Sequence, residues 1–254
     1  ITYNNMIFRW SIWGQNKEKS LELLKYSVLS FKKQFGKNHR YVIYTDSPRE
    51  LIDGFSEIAE VSDFGGSNNE YNIDSITTWR KWCPSARIDI SETEFYVDSD
   101  VFLLKYPKEV DEFINDTKLK FGILDEFKGQ SWQHGAMQKK GIKEALFVNA
   151  GLFVQKAGYS ISEDLLKEKK WWEENISKEE QKHHDEQGCL AIALTKYLKN
   201  SELYIFPKNK YMLIGPNENK DIGSLENVIV FHAVYPGHPA FYKFKDVLDR
   251  VLYE

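Results

Sequence analysis

The sequence predicts an α/β fold, a mixed and mostly parallel sheet flanked by helices. Three observations carry this. The first hundred residues alternate short apolar strands with an amphipathic helix and show no hairpin signal between them. An acidic pair closes an apolar strand near the middle of the chain. No repeat or low-complexity linker interrupts the 254 residues, a length that suits one compact unit.

The elements follow in order. Met6–Trp10 (MIFRW) is a short buried strand, followed by the polar loop Ser11–Asn16. Leu21, Leu24, Val28, Phe31 and Phe35 recur at spacings of three and four, one apolar stripe on a helix that Gly36 ends. Tyr41–Thr45 (YVIYT) is a strand stopped by Asp46-Ser47-Pro48. Strand, helix and strand in this order imply a right-handed crossover and parallel pairing. After the Gly- and Asn-rich loop Asp63–Asn69, the pattern predicts a helix over Ile73–Trp82, ended by Pro84. Phe95–Leu104 (FYVDSDVFLL) is a strand around two acids. Further strands are expected at Phe121–Leu124, Phe147–Val154, Leu203–Phe206 and Val228–Phe231. Helices are expected at Glu163–Trp172, Asp185–Leu198 and Tyr242–Leu252.

Composition narrows the function. With 34 Lys+Arg against 38 Asp+Glu and a net charge of −4, the chain lacks the basic excess of a nucleic-acid binder. Cys83 and Cys189 have no C-x-x-C spacing, which argues against a disulfide scaffold or zinc-cysteine site and fits a reducing, cytoplasmic compartment. No apolar run approaches the ~18 residues of a membrane span, and the N-terminus lacks a secretory pattern. The start at Ile1 fits an excised domain of a longer chain, and a peripheral membrane position stays open. The 16 Phe, 14 Tyr and 7 Trp serve a core or ring-shaped ligands, and composition does not separate these uses.

Asp98-Ser99-Asp100 is the most informative feature. Residues two apart in an extended segment point the same way, so both carboxylates converge at the carboxyl end of a strand, where open α/β sheets bind ligands. Hard oxygen donors of this kind suit Mg²⁺ or Mn²⁺. The ordinary alternative is an acidic turn capping the strand, but the apolar tracts on both sides argue against plain solvent decoration.

In combination with four other segments, this motif resembles the nucleotide-sugar-dependent glycosyltransferases of the GT-A fold, most of all glycosyltransferase family 8 and its relatives. FYVDSDVFLL is similar to their strand ending in D-x-D. Ser85-Ala86-Arg87-Ile88 is similar to the S/A-R-L/I stretch ahead of it, and Val148-Asn149-Ala150-Gly151-Leu152-Phe153 to the N-A-G strand. Asp185-Glu186-Gln187 resembles their D-Q-D or D-E-Q element, and His232–Pro239 (HAVYPGHP) a C-terminal H-x-x-G-x-x-K-P segment. His238 stands where that motif carries Lys, Gly237 falls two positions late, and the opening MIFRWSIWG differs from the family's start.

The resemblance implies a GT-A unit, a Rossmann-like mixed sheet in which residues 1–104 form a nucleotide-binding half and 105–254 an acceptor-binding half. It implies a metal held by Asp98, Asp100 and His232, with Mn²⁺ favoured slightly over Mg²⁺ by the mixed oxygen and imidazole set. Donor contacts would come from Arg87, Asp98, Ser99, Asn149, Gly151, His238 and Trp13, and catalytic roles from Asp185 and Glu186. Each has an ordinary alternative. His232 suits a hydrogen-bonded core histidine, Asn149 a strand-end turn, Asp185 and Glu186 the first turn of a helix, and Trp13 simple packing. Arg87 suits either a phosphate or a buried ion pair with Asp98 or Asp89. The adjacent His183 and His184 read as a solvated loop.

The implied activity is metal-dependent transfer of a hexose from a nucleotide diphosphate sugar, UDP-linked by expectation, to a carbohydrate acceptor hydroxyl with retained configuration. The loops Phe64–Tyr71 and Glu126–Lys140, the latter with Gly129 and Trp132, are expected to act as lids. Two alternatives are a phosphohydrolase of the haloacid dehalogenase type, which also places D-x-D after a strand, and a catalytically silent carbohydrate-binding domain. Phe102 stands where the former normally has Thr or Val.

Overall fold

In the computed structural model, residues 5–14, 18–66, 69–126, 131–218 and 220–254 are described. Strand β1 (Met6–Ile12) is buried along its whole length, because it lies in the middle of the sheet with a packed layer on each face. Met6, Phe8, Trp10 and Ile12 enter one core cluster and Ile7 the opposite one, the period of two that an extended chain imposes. Helix α1 (Glu18–Phe35) lays the predicted apolar stripe over β1 and ends at Gly36, whose φ of +86° needs a residue without a β-carbon. Strand β2 (Arg40–Thr45) pairs parallel to β1.

Part of the aromatic excess packs here. Phe8 lies opposite Tyr41 on one side, and on the other opposite Phe95 of β4 (Thr93–Val97). The rings stack at 5.2 and 4.7 Å between centroids. Cross-strand rings in this geometry contribute about 0.5–1.5 kcal/mol each beyond the area they bury.

Helix α2 (Pro48–Phe55) and strand β3 (Glu60–Asp63) complete this half; Pro48 begins the helix where an amide proton is not needed. The FYVDSDVFLL segment is not one strand. It divides into β4 and a second strand, β5 (Val101–Leu103), and Asp98-Ser99-Asp100 is the step between two sheets. Two buried serines of α1 fix that step: Ser27 donates to the carbonyl of Val101 at 2.6 Å, and Ser30 accepts from the amide of Leu103 at 3.0 Å.

Helix α3 (Lys108–Asn115) leads to β6 (Phe121–Asp125) and β7 (Val148–Gln155). Helices α4 (Ser162–Asn175) and α5 (Asp185–Lys199) precede β8 (Leu203–Phe206), β9 (Tyr211–Ile214), β10 (Val230–Ala233) and α6 (Pro239–Tyr253). The large sheet has the order β3-β2-β1-β4-β7-β6-β8, parallel except for β7, which runs against β4 and β6. The small sheet has the order β5-β10-β9, with His232 opposite Val101. Phe241 and Phe244 of α6 seal it against Phe102 and Phe231, as an apolar cluster of its own.

The helix expected over Ile73–Trp82 is absent. Only a 3-10 turn at Trp79–Trp82 forms. A side chain of the preceding polar run takes a backbone donor that a helix would use, since Ser75 Oγ accepts from the amide of Thr77 at 3.2 Å, and Arg80 donates to the Asn72 side chain. The carbonyl of Lys81 accepts from Arg9 and from Ser11, both at 3.0 Å, so β1 anchors the turn. No helix among the described residues is long and apolar enough to cross a membrane.

Candidate functional site

The step between the two sheets opens onto a cleft of about 340 Å³. The end of β1 lines it with Ser11, Ile12 and Trp13, the 3-10 turn with Lys81, the step with Asp98, Ser99 and Asp100. The second half of the chain supplies Asn149, Glu186, Gln187, His232 and Tyr235. Each strand contributes near its carboxyl end, apart from the antiparallel β7, which enters by its beginning.

Asp98, Asp100 and His232 each offer one ligand atom, and these atoms lie within 4.8 Å of one another. The tautomer of His232 follows from its neighbours. The amide of Gly151 can only donate, and it donates to Asn149 Oδ1 at 2.9 Å, which fixes that atom as the oxygen. His232 Nδ1 lies 3.1 Å from the same oxygen and therefore carries the proton. That leaves Nε2, 3.1 Å from Asp100 Oδ1, as the atom facing the acids. An imidazole with one nitrogen held this way and the other turned to two carboxylates fits a divalent cation. Gly151 makes the approach possible, since a β-carbon there would stand 2.6 Å from His232 Cε1.

The electrostatics point the same way. Burial alone would raise the Asp100 carboxyl, but the charges and hydrogen bonds of His232 and His238 more than reverse this and hold it below the usual range. Burial likewise opposes the charged form of His232, and Asp100 overcomes it, so its pKa is raised. Protons thus balance the acids where a cation can take their place. Across the cleft, Lys81 lies between Asp98 Oδ2 at 3.3 Å and Glu186 Oε1 at 3.1 Å. Burial works against its charge, and the two carboxylates outweigh burial and raise its pKa. Tyr96 donates to Asp98 Oδ1 at 2.5 Å. Two carboxylates share the one Lys81 ammonium, which leaves it little positive charge to offer an anionic ligand in the cleft.

Both oxygens of Glu186 are engaged. Thr78 donates to Oε1 at 2.6 Å and Trp82 Nε1 to Oε2 at 3.3 Å. Gln187 is different: Oε1 accepts from the amide of Ala150 at 3.0 Å, while Nε2 is buried with no partner.

Several expected site residues stand elsewhere. Asp185 follows the helical rotation of about 100° from Glu186 and faces away from the cleft. It accepts from Trp172 Nε1 and the amide of Ala136, both at 2.7 Å, and from the amide of Lys182 at 2.9 Å. It is an anchor for α5. Arg87 lies at the opposite end of β4, bonded to the carbonyl of Gln155 at 2.8 Å and 3.9 Å from Glu94. Its ion pair is with Glu94, not Asp98 or Asp89. The Asn149 amide is committed to His232, Gly151 and, through Nδ2, Glu126 at 2.8 Å. It orients the histidine. Gly151 supplies room for that histidine, and His238 turns to Asp100 and is not among the lining residues. Trp13 does line the cleft, resting 6.3 Å from Phe64 between ring centroids. Ser99, Glu186, Asp98, Asp100 and His232 line it too, as does Asn149 despite its commitments.

Sequence reading missed Lys81, Gln187 and His184. Lys81 was hidden by the helix expected around it. Gln187 was inside the quoted Asp-Glu-Gln element, but it and Asp185 stand about 100° to either side of Glu186, so helical geometry alone does not separate them. His184 is half-buried in the cleft wall, its pKa brought down to about 4 by burial, then by the charges of His183 and Lys81. Residues 67, 68 and 127–130, with Gly129, and the side chain of Trp132 lie outside the described residues.

No protein-family model matches the chain, and no curated protein does. Solved structures do. The galactosyltransferase LgtC, in complex with donor and acceptor sugar analogues, superposes with a TM-score of 0.59 at 13% identity over 96% of each chain. Mouse xyloside xylosyltransferase 1 gives 0.54 at 10% identity, over 93% of this chain and 99% of that one. The bifunctional glycosyltransferase WbbM gives 0.57 at 10% identity, over all of this chain and 50% of its own. The chain has the GT-A fold that these glycosyltransferases share.

Proposed function

We propose that this protein is a metal-dependent glycosyltransferase that moves a hexose from a nucleotide diphosphate sugar, UDP-linked, to a carbohydrate acceptor hydroxyl. The observation that carries the proposal is the Asp98, Asp100 and His232 cluster at the junction of two sheets, in the cleft of a GT-A fold. Asp98, Asp100 and Nε2 of His232 would hold Mn²⁺, or Mg²⁺. A cation bound there would supply Lewis-acid charge compensation for the diphosphate and its leaving group.

The chain's own residues do the rest. Trp13 offers a face to the base at the end of β1. Lys81 supplies fixed positive charge beside Asp98 and holds the Glu186 carboxylate in place. Glu186, clamped by Thr78, Lys81 and Trp82, sets its carboxylate where the sugar ring gains positive charge as its bond to the leaving group lengthens. The unpartnered Nε2 of Gln187 donates to a sugar hydroxyl or ring oxygen. Residues 1–104 hold the nucleotide side and 105–254 receive the acceptor. Retention is the outcome the motif resemblance implies.

The fold favours this reading over a phosphohydrolase. A thermal-shift screen of nucleotide sugars with and without Mn²⁺ tests it. Stabilisation that requires both metal and one UDP-sugar supports the enzyme, because a ligand that binds only the native state raises its stability by mass action. Glycan binding with no response to any donor would leave a silent carbohydrate-binding domain instead.

A further inference from the structure

We infer that His238 is a positioning residue, which holds one oxygen of Asp100 so that the other faces the metal. The inference rests on the metal site proposed above. Nδ1 of His238 lies 2.7 Å from the carbonyl oxygen of Ala233 and 3.1 Å from Asp100 Oδ2. A carbonyl oxygen only accepts, so Nδ1 carries a proton whether the ring is neutral or charged. That single N–H is shared by the carbonyl and the carboxylate. The backbone closes the arrangement, since the amide of Ala233 donates to the carbonyl of Asp100 at 2.9 Å.

The two oxygens of Asp100 are therefore no longer equivalent. Oδ2 is taken by His238, while Oδ1 is turned toward His232 Nε2 at 3.1 Å. A ligand carboxylate free to rotate loses part of its binding free energy as ordering cost, and a hydrogen bond to its second oxygen removes that cost. The loop geometry directs the ring. Gly237 at φ +73° and His238 at φ +49° form a left-handed turn that folds the imidazole back over Asp100, away from the cleft. A lysine at this position would have a cation free to reach a diphosphate; the histidine is committed to the protein.

The backbone supplies a clean test. Glycine and asparagine both accept a left-handed φ, whereas alanine would be strained there. Only asparagine places an N–H donor where Nδ1 now sits. Mn²⁺ binding to the full chain is titrated by electron paramagnetic resonance for the wild type, His238→Gly and His238→Asn. We expect His238→Gly to weaken Mn²⁺ binding by about tenfold or more, and His238→Asn to recover to within about threefold of wild type, in the range of outer-shell effects. The metal-free melting temperatures of the two variants should be alike. Equal affinity in wild type and His238→Gly overturns the inference, and so does an asparagine variant as weak as the glycine one. A wild type that binds no Mn²⁺ overturns the metal site itself, a failure visible before any variant is compared.

Discussion

Acids stand at both ends of strand β4, and their partners differ in kind. At the amino end, Glu94 is 3.2 Å from Arg9 and 3.9 Å from Arg87, and it also accepts from the amide of Ile88 at 2.8 Å. At the carboxyl end, Asp98 and Asp100 are matched by Lys81, His232 and His238. Guanidinium groups do not give up their protons in proteins, so the first end is a permanent ion cluster. Imidazoles do, so the second end can exchange protons for another cation. Buried charge alone does not mark a site; the exchangeability of its partner does.

The sharpest way to separate the ends is to neutralise one acid at each. Asp100→Asn should lower donor turnover by at least about a thousandfold, as expected for loss of a charged ligand from a metal-dependent centre, and leave a folded protein. His232 and His238 then shed their protons instead of remaining as buried charges. Turnover with Mn²⁺, beside the melting temperature, checks both statements, and full turnover in excess EDTA would remove the metal from the account. Glu94→Gln should do the reverse. Two buried arginines lose their counter-charge and cannot neutralise themselves, which costs about 3–5 kcal/mol of stability in chemical denaturation. Turnover per folded molecule should stay near wild type.

A smaller effect is expected at Gly151, which connects the two kinds of behaviour through space instead of charge. In Gly151→Ala the added carbon meets His232 Cε1 at 2.6 Å and Asn149 Oδ1 at 2.8 Å. Displacing the ligand and its orienting partner should weaken Mn²⁺ binding by about 10–100-fold. The protein should lose about 1–3 kcal/mol of stability through the same overpacking.

The mildest test is pH. His232 has a raised folded pKa, so its pairing with Asp100 contributes fully below the unfolded value of 6.5 and is lost as pH rises through the folded pKa. Asp100 has a lowered one, so its contribution is lost as pH falls below 3.8. His184, at about 4, acts with the opposite sign, and favours folding less as pH drops below 6.5. Comparing metal-free wild type with Asp100→Asn removes the His184 contribution. The difference in their stabilities should shrink as pH rises above 6.5, whereas Glu94→Gln should keep the wild-type slope.

Most strands of the large sheet and the acidic pair were legible in the sequence because they rest on local pattern, although the division of FYVDSDVFLL between two sheets was not. The apolar run of β1, the stripe on α1 and the apolar tracts around Asp98-Ser99-Asp100 are each read within about fifteen residues. What was not legible depends on distant partners. Lys81 reaches the cleft only because Arg9 and Ser11 hold its turn, seventy positions away in sequence. Arg87 resembles a phosphate fork until Glu94 and Gln155 are seen to claim it. Asp185 and Glu186 are neighbours in sequence, and one anchors α5 while the other faces the cleft. The N-A-G element was visible, but its work of fixing a histidine tautomer depends on a residue eighty-three positions later.

The step between the sheets has one more consequence. Asp98 and Asp100 are joined to β4 and β5, while His232 comes from β10, which β5 meets only after most of the chain has been laid down. Fragments that end before β10 keep both acids and lose the imidazole, as well as the donor that orients Asp100. On the metal site proposed above, cation affinity requires the pairing of β5 with β10, a long-range contact that no early, local piece of the molecule can imitate.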